Sequence, residues 1–283
     1  MPIPSDADFD RIDKQLETWQ QGDIIRSADL PFAFVASAAT PLSSAAQQTD
    51  AITGDLLVLV ETVEVGFVIL TQTCDVVRSC RDRPFLELAP LVAAPTLIEE
   101  TRRLKRVSFA YHPAAARQGQ VVDLDRTMTV EKAVVVGLNY EQGLSTTTEI
   151  LIFQQALAAK RARFAFPDDF VAACSRFSKR VKDKAGRQSP EGQHLDALDE
   201  IRVSASDWSA PTISLNFWLV KRGDPATADW LRWTAEWSKL VDASGRFTAV
   251  TMQAATLDDM TARDHVESHH LDFDQLSVPA RTN

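Results

Sequence analysis

Several things are scarce in this chain of 283 residues. It has three cysteines, Cys74, Cys80 and Cys174. So few, and an odd number, do not make a disulfide framework, and three cysteines cannot build a four-cysteine zinc site. No apolar run approaches the roughly 18 residues that a membrane span requires. The start, Met1-Pro2-Ile3-Pro4-Ser5-Asp6-Ala7-Asp8, is acidic and has neither the basic start nor the apolar stretch of a signal peptide. A cytoplasmic protein without a membrane role is expected. The chain also lacks G-x-G-x-x-G, the P-loop, G-x-S-x-G and H-E-x-x-H. Dinucleotide redox chemistry, ATP hydrolysis and standard serine-hydrolase or zinc-protease work are therefore unsupported. No cofactor is assigned.

What is present is ordinary globular composition, 45% hydrophobic and 24% charged, with a net charge of −9. That charge argues against a generic nucleic-acid coat, whose affinity comes from neutralising phosphates. The charge is uneven, however. Residues 151–190 hold nine cations, Lys160, Arg161, Arg163, Arg176, Lys179, Arg180, Lys182, Lys184 and Arg187, against Asp168, Asp169 and Asp183, a net of +6. Residues 251–283 hold two arginines against six acids, a net of −4. The basic stretch either engages nucleic acid or a protein partner, or is neutralised by the acidic end.

The apolar spacing predicts a helix over residues 6–20, with Phe9, Ile12, Leu16 and Trp19 on one stripe. A strand starts at Gly22-Asp23-Ile24-Ile25, and residues 37–54 read as a long loop. Leu56 to Val63 and Gly66 to Thr71 are β-rich and close enough to form a hairpin. Phe85 to Val92 is a strand, Leu97 to Val107 a helix, and two short strands run from Gln120 to Val130. Further helices are expected over 146–159 and, as one piece, 168–184, where Phe170, Val171, Cys174, Phe177 and Val181 line a face. Residues 185–193 read as a loop. Strands follow at 200–205, 213–221 and 247–252, with a helix at 226–240 carrying Trp230, Trp233 and Trp237, and a short helix near 257–264. This order is α+β. The expected division is a β-rich, SH3-like or small-barrel domain over 1–145 and an α+β domain over 146–283 with an acidic end.

The segment Gly66-Phe67-Val68-Ile69-Leu70-Thr71-Gln72-Thr73-Cys74-Asp75 carries the main candidate site. A buried-type strand delivers Gln72, Thr73, Cys74 and Asp75 to one point. A cysteine nucleophile needs a lowered pKa, and Arg78, Arg81 and Arg83 follow closely. A histidine partner would have to be distant: His112, His194, His265, His269 or His270. The other reading is a half-buried thiol with Asp75 capping a turn. Cys74 and Cys80 could pair with His265 and His269 around a metal, but only the arithmetic of spacing joins them, and no metal is assigned. Glu200 and Arg202 share one strand face, as an ion pair or a substrate clamp. The tryptophan stripe reads as core.

Three elements together resemble a group of bacterial proteins of unassigned activity: Gln21-Gly22-Asp23-Ile24-Ile25, Val68-Ile69-Leu70-Thr71-Gln72-Thr73-Cys74-Asp75-Val76, and Arg83-Pro84-Phe85-Leu86-Glu87-Leu88-Ala89-Pro90-Leu91. The shared pattern is Gly-Asp-Ile/Val, Ser/Thr-Gln-x-Cys-Asp and Ala-Pro-Leu/Ile. Residues 20–92 are also similar to PemK/MazF-type toxins, SH3-like barrels that cleave RNA, through Gly22-Asp23-Ile24 and Arg83-Pro84. The Cys-Asp element is foreign to that second pattern. The resemblance implies a recurring module without an established activity, and the function expected is that of an accessory or binding protein of a bacterial conflict or mobile-element system, whose barrel and basic residues 160–187 engage nucleic acid or a partner protein. The alternative is a nuclease-like or thiol enzyme centred on Cys74 and Asp75.

Overall fold

The computed structural model describes residues 3–26, 30–49, 55–225 and 228–271. The chain falls into two compact units, Met1–Ala162 and Arg163–Asn283. Both mix helix and sheet, so the chain is α+β. No described helix is long and apolar enough to cross a membrane.

In the first unit the order is α1 (Asp6–Leu16), β1 (Ile24–Ile25), β2 (Phe32–Ser37), α2 (Ser44–Gln47), β3 (Leu56–Glu61), β4 (Phe67–Ile69), α3 (Thr73–Val76), β5 (Phe85–Ala93), α4 (Ile98–Arg102), β6 (Phe109–Ala110), α5 (Pro113–Ala116), β7 (Gln120–Asp123), β8 (Met128–Glu131), α6 (Lys132–Val135), β9 (Tyr140–Glu141) and α7 (Thr147–Arg161). The main sheet runs β6-β7-β5-β4-β1-β9, with β8 also on β5, and every pairing is antiparallel. The described strands leave this sheet open, so the SH3-like or small barrel expected within residues 1–145 is not formed.

The sheet is covered on both faces, which explains the unbroken apolar run in β4. Phe67 and Ile69 join Ile25, Leu86 and Leu88 against Ile12, Leu16 and Trp19 of the N-terminal segment. Val68 and Leu70 point the other way, with Ile24, Leu91 and Val122, against Phe153 and Ala156 of α7. That packing assigns α7 to the first unit, so the division falls after residue 162 and not near 145. The start of α7 is fixed by a reciprocal cap: the Thr146 hydroxyl accepts from the Glu149 N–H at 3.2 Å, and the Glu149 carboxylate accepts from the Thr146 N–H at 3.2 Å.

One local expectation is overturned. The apolar runs at 56–63 and 66–71 are not a hairpin. Both edges of β4 are taken, by β1 and β5, so β3 pairs with β2 instead. Pro90 sits inside β5. It lies between the stretch of β5 paired with β8 (Phe85 to Leu88) and the stretch paired with β7 (Leu91 to Ala93), where a missing N–H costs nothing.

The second unit contains α8 (Asp168–Ala173), α9 (Ser175–Lys184), α10 (Pro190–Asp196), β10 (Leu198–Ala205), β11 (Ile213–Lys221), α11 (Trp230–Ser238), β12 (Phe247–Ala255), α12 (Ala262–Glu267) and β13 (His269–His270). Its sheet runs β12-β11-β10-β13, and β11 to β12 is a parallel crossover through α11. Phe170, Cys174, Phe177 and Trp237 bury against Ile201, Val203, Leu215 and Phe217. The single helix expected over 168–184 is broken at Cys174, because the Ala173 carbonyl accepts from the Asp242 N–H at 2.9 Å. The loop expected over 185–193 contains the start of α10. Ser189 caps it by accepting from the Gly192 N–H at 3.2 Å, and Pro190 occupies its first turn. The acidic end beyond residue 271 and the first two residues of the expected 226–240 helix lie outside the described residues.

Candidate functional site

The turn from β1 back to α1 is built first. Gly22 has φ +91°, and a Cβ there would lie 2.3 Å from Leu144 Cδ1. Its carbonyl accepts from His112 Nε2 at 2.7 Å, while His112 Nδ1 accepts from the Ala115 N–H at 3.3 Å. His112 is therefore held as the Nε2–H tautomer, and burial pushes its pKa down to about 4. Asp23, also buried, accepts from the N–H groups of Gln20 (2.8 Å) and Gly143 (3.2 Å). Burial raises its pKa, against the pull of those two bonds. The Gly-Asp element is thus an architectural joint, and His112 serves it and is not a partner for Cys74.

Beside this joint the end of β4 opens into a cleft of about 730 Å³, lined by Gln21, Leu70, Thr71, Gln72, Thr73, Cys74, Asp75, Glu87, Gln154, Leu157, Ala158 and Arg161. Its floor is a hydrogen-bond chain. Gln154 Nε2 donates to Gln21 Oε1 (3.2 Å), Gln21 Nε2 donates to the Leu70 carbonyl (2.7 Å), and the Gln21 N–H donates to Thr73 Oγ1 (3.1 Å). Thr71 Oγ1 accepts from the Glu87 N–H at 2.7 Å and extends the pairing of β4 with β5. Both acids in the cleft have cationic partners: Glu87 pairs with Arg161, and Asp75 lies 3.9 Å from Arg78 and from Arg83.

All four residues chosen from the strand-end motif line this cleft, and so does Arg161 from the basic segment. Cys74 is exposed, and its thiol contacts Gln72 Oε1 at 3.8 Å. No histidine is among the lining residues. Lys132, which sequence reasoning missed, fixes α3 from below. It is 1% exposed, and its ammonium donates to the carbonyls of Asp75 and Arg78. Burial holds its pKa below the ordinary lysine value, opposed by nearby Asp13, Cys80 and Asp75.

The other chosen residues lie apart from this cleft. Lys160, also on α7, pairs with Asp125. Arg176 donates to the Lys239 carbonyl at 3.1 Å, and Arg180 pairs with buried Glu191 at 2.8 Å. Lys179 is exposed on α9. Arg163 is exposed but not free. Arg202 pairs with Glu200 at 3.0 Å and also donates to the Ser268 hydroxyl, the Ser268 carbonyl and the His265 carbonyl. That set ties the end of α12 to β10 and leaves Arg202 no free donor pair for a substrate. His265 lies 3.7 Å from Glu200, and His269 stacks on Phe164. Among the described residues no group of three or more His, Cys, Asp and Glu side chains is placed to hold a metal. Of the tryptophans, Trp237 is buried and donates to Glu191 at 3.0 Å.

No family model matches this chain, no curated protein is similar to it, and no solved structure matches it.

Proposed function

We propose that this protein is a binding module that takes a segment of single-stranded nucleic acid into the cleft of its first unit, as an accessory protein of a bacterial conflict or mobile-element system. The observation that carries this reading is the meeting of Arg161 with the amides and hydroxyls of Gln72, Gln154 and Thr73 in one cleft. Amide and hydroxyl groups both donate and accept, which suits the edge of an unpaired base. Arg161 at one side and Arg78 and Arg83 beside Asp75 offer cations to a phosphate backbone once they exchange partners. In the second unit, the exposed Arg176, Lys179 and Lys182 of α9 supply further positive charge.

The test is titration of labelled single- and double-stranded DNA and RNA at low salt, with a gel read for cleavage. Saturable single-strand binding that falls steeply with salt supports the reading. Arg161→Ala is expected to weaken it about tenfold, the worth of one charge-assisted hydrogen bond. Absence of binding to every probe would overturn it.

A second reading has one observation in its favour: Cys74 exposes a thiol inside the cleft, next to Asp75. A thiol enzyme or a ribonuclease of the toxin type would need a base in reach of the reacting group. Cleavage on the same gel, abolished by Cys74→Ala or Asp75→Ala, would replace the binding module by an enzyme.

A further inference from the structure

The floor of the cleft in the first unit fixes the direction of a side-chain amide. A backbone carbonyl can only accept a hydrogen bond, so the Leu70 carbonyl, 2.7 Å from the Gln21 amide, must face its NH2 group. Gln21 is 6% exposed, and its amide cannot turn over without setting its own oxygen against that carbonyl. Its Oε1 is thereby aimed at Gln154 and accepts from Gln154 Nε2 at 3.2 Å. Gln154 is held in turn, because a flip would bring two amide oxygens together. A direction set by one main-chain carbonyl thus passes through two glutamines to an exposed side chain of the cleft.

Two polar groups are left over. Gln154 Oε1 accepts from no donor among the described residues. Thr73 Oγ1 is the second. A main-chain N–H can only donate, so the hydroxyl accepts from the Gln21 N–H at 3.1 Å, and its own hydrogen has no acceptor among the described residues. One group is bonded to the Gln21 side chain and the other to the Gln21 main chain, so both lie on the same part of the floor. What faces the cleft there is one acceptor and one donor, each in a fixed role.

We infer that Gln154 is a specificity-determining residue of the cleft, that Gln21 positions it, and that together they select a ligand edge carrying an N–H beside an acceptor: a nucleobase whose Watson–Crick edge is unpaired and unmethylated. The inference rests on the proposed binding of single-stranded nucleic acid. Every base has such an edge, a ring N–H beside a carbonyl in uracil, thymine and guanine, an amino group beside a ring nitrogen in adenine and cytosine. In a duplex the opposite strand uses the same atoms, so the floor reads pairing state and not sequence. A phosphate only accepts and leaves Gln154 Oε1 unmet. The phosphate therefore belongs beside Arg161 and the base on the floor. An edge without the N–H strips water from that oxygen and returns nothing, which is why such a site rejects it.

Fluorescence anisotropy of the full chain at low salt, with end-labelled DNA strands of one length, tests this. The strands are all thymine, all 3-methylthymine and all abasic. Their phosphate charge is the same, and the methyl group replaces the thymine N–H while keeping both carbonyls. The wild type should bind the thymine strand about tenfold more tightly than the 3-methylthymine strand. Gln154→Met keeps the side-chain length and should bind those two strands alike, by weakening the thymine strand and leaving the abasic strand unchanged. Gln21→Met frees the Gln154 amide to turn and should also erase the preference, whereas a merely structural Gln21 would weaken all three strands in proportion. Equal binding of the thymine and 3-methylthymine strands by the wild type, or a preference that survives Gln154→Met, would overturn the inference and leave the proposed function standing. Absence of binding to any strand would overturn that function and the inference with it.

Discussion

The ammonium nitrogen of Lys132 lies 2.6 Å from the carbonyl oxygen of Arg78 and 2.9 Å from that of Asp75. A lysine is rarely so fully enclosed. This one closes the carbonyl end of α3, the short helix that carries Cys74 and Asp75, as a cation suits a helix C-terminus. The position of the cleft's motif is thus set from the buried side of the sheet.

Lys132→Met should keep the apolar stem and leave those two carbonyls without their donor. The expected loss is about 2–4 kcal/mol, from unsatisfied buried acceptors. Urea unfolding monitored by tryptophan fluorescence measures it. A midpoint equal to that of the wild type would show that water replaces the ammonium at no cost.

Acid should weaken the first unit through His112. Its folded pKa is about 4 against an ordinary 6.5, so the unfolded chain takes up the proton first. Stability from this group is complete above about pH 6.5, declines as pH falls from 6.5 to 4, and levels off below. At about 1.4 kcal/mol per pH unit of pKa difference, the decline is about 3 kcal/mol. Asp23 acts in the opposite sense at the acid end, because its raised folded pKa favours the protonated folded form. Urea midpoints taken between pH 7 and pH 4 should fall for the wild type, and the slope should flatten in His112→Gln, whatever that variant's absolute stability.

Gly143 faces the same joint. A Cβ there would lie 1.8 Å from the Gly22 carbonyl oxygen and 2.7 Å from His112 Nε2. Gly143→Ala must push the backbone away or break the His112–Gly22 bond, so a loss above about 2 kcal/mol is expected. Gly137 is the converse case, with φ +91° and open space at its Cβ position. Gly137→Ala should cost only backbone strain, of the order of 1 kcal/mol. Thermal melts of the two variants side by side separate steric from conformational cost.

The amphipathic helices and the long strands were legible because their periods are strong: the stripe of α1, the run of β4, and the alternation in β10 to β12. The site motif was legible for a different reason, since polar residues at the end of an apolar strand demand an explanation. What sequence spacing could not give was partnership. Nothing local says that β3 prefers β2 over β4, a choice made when β1 and β5 occupy both edges of β4. Nor does spacing reveal that Ala173 turns its carbonyl to Asp242 and so splits a continuous stripe into two helices. Lys132 gives no local signal, because its burial depends on a turn more than fifty residues earlier. The start of α10 was readable in Ser189-Pro190-Glu191, a cap followed by proline and an acid.

The three thiols should report their surroundings directly. Cys74 is exposed in the cleft. Cys80 is buried, its N–H donates to Asp13 at 2.7 Å, and burial and the Asp13 carboxylate raise its pKa. Cys174 is buried in the second core, and burial pushes its thiol up to about 12. Only a thiolate attacks a disulfide reagent, so exposure and ionisation together set the order. Ellman's reagent on the native protein should therefore titrate a single thiol quickly, and Cys74→Ser should remove that phase. All three thiols of the wild type should react once the chain is unfolded in guanidinium. A prior incubation with single-stranded nucleic acid should slow the fast phase if the ligand enters the cleft, and leave it untouched if the ligand binds only along α9. Fast reaction of two thiols in the native protein would mean that the core around Cys80 or Cys174 opens readily.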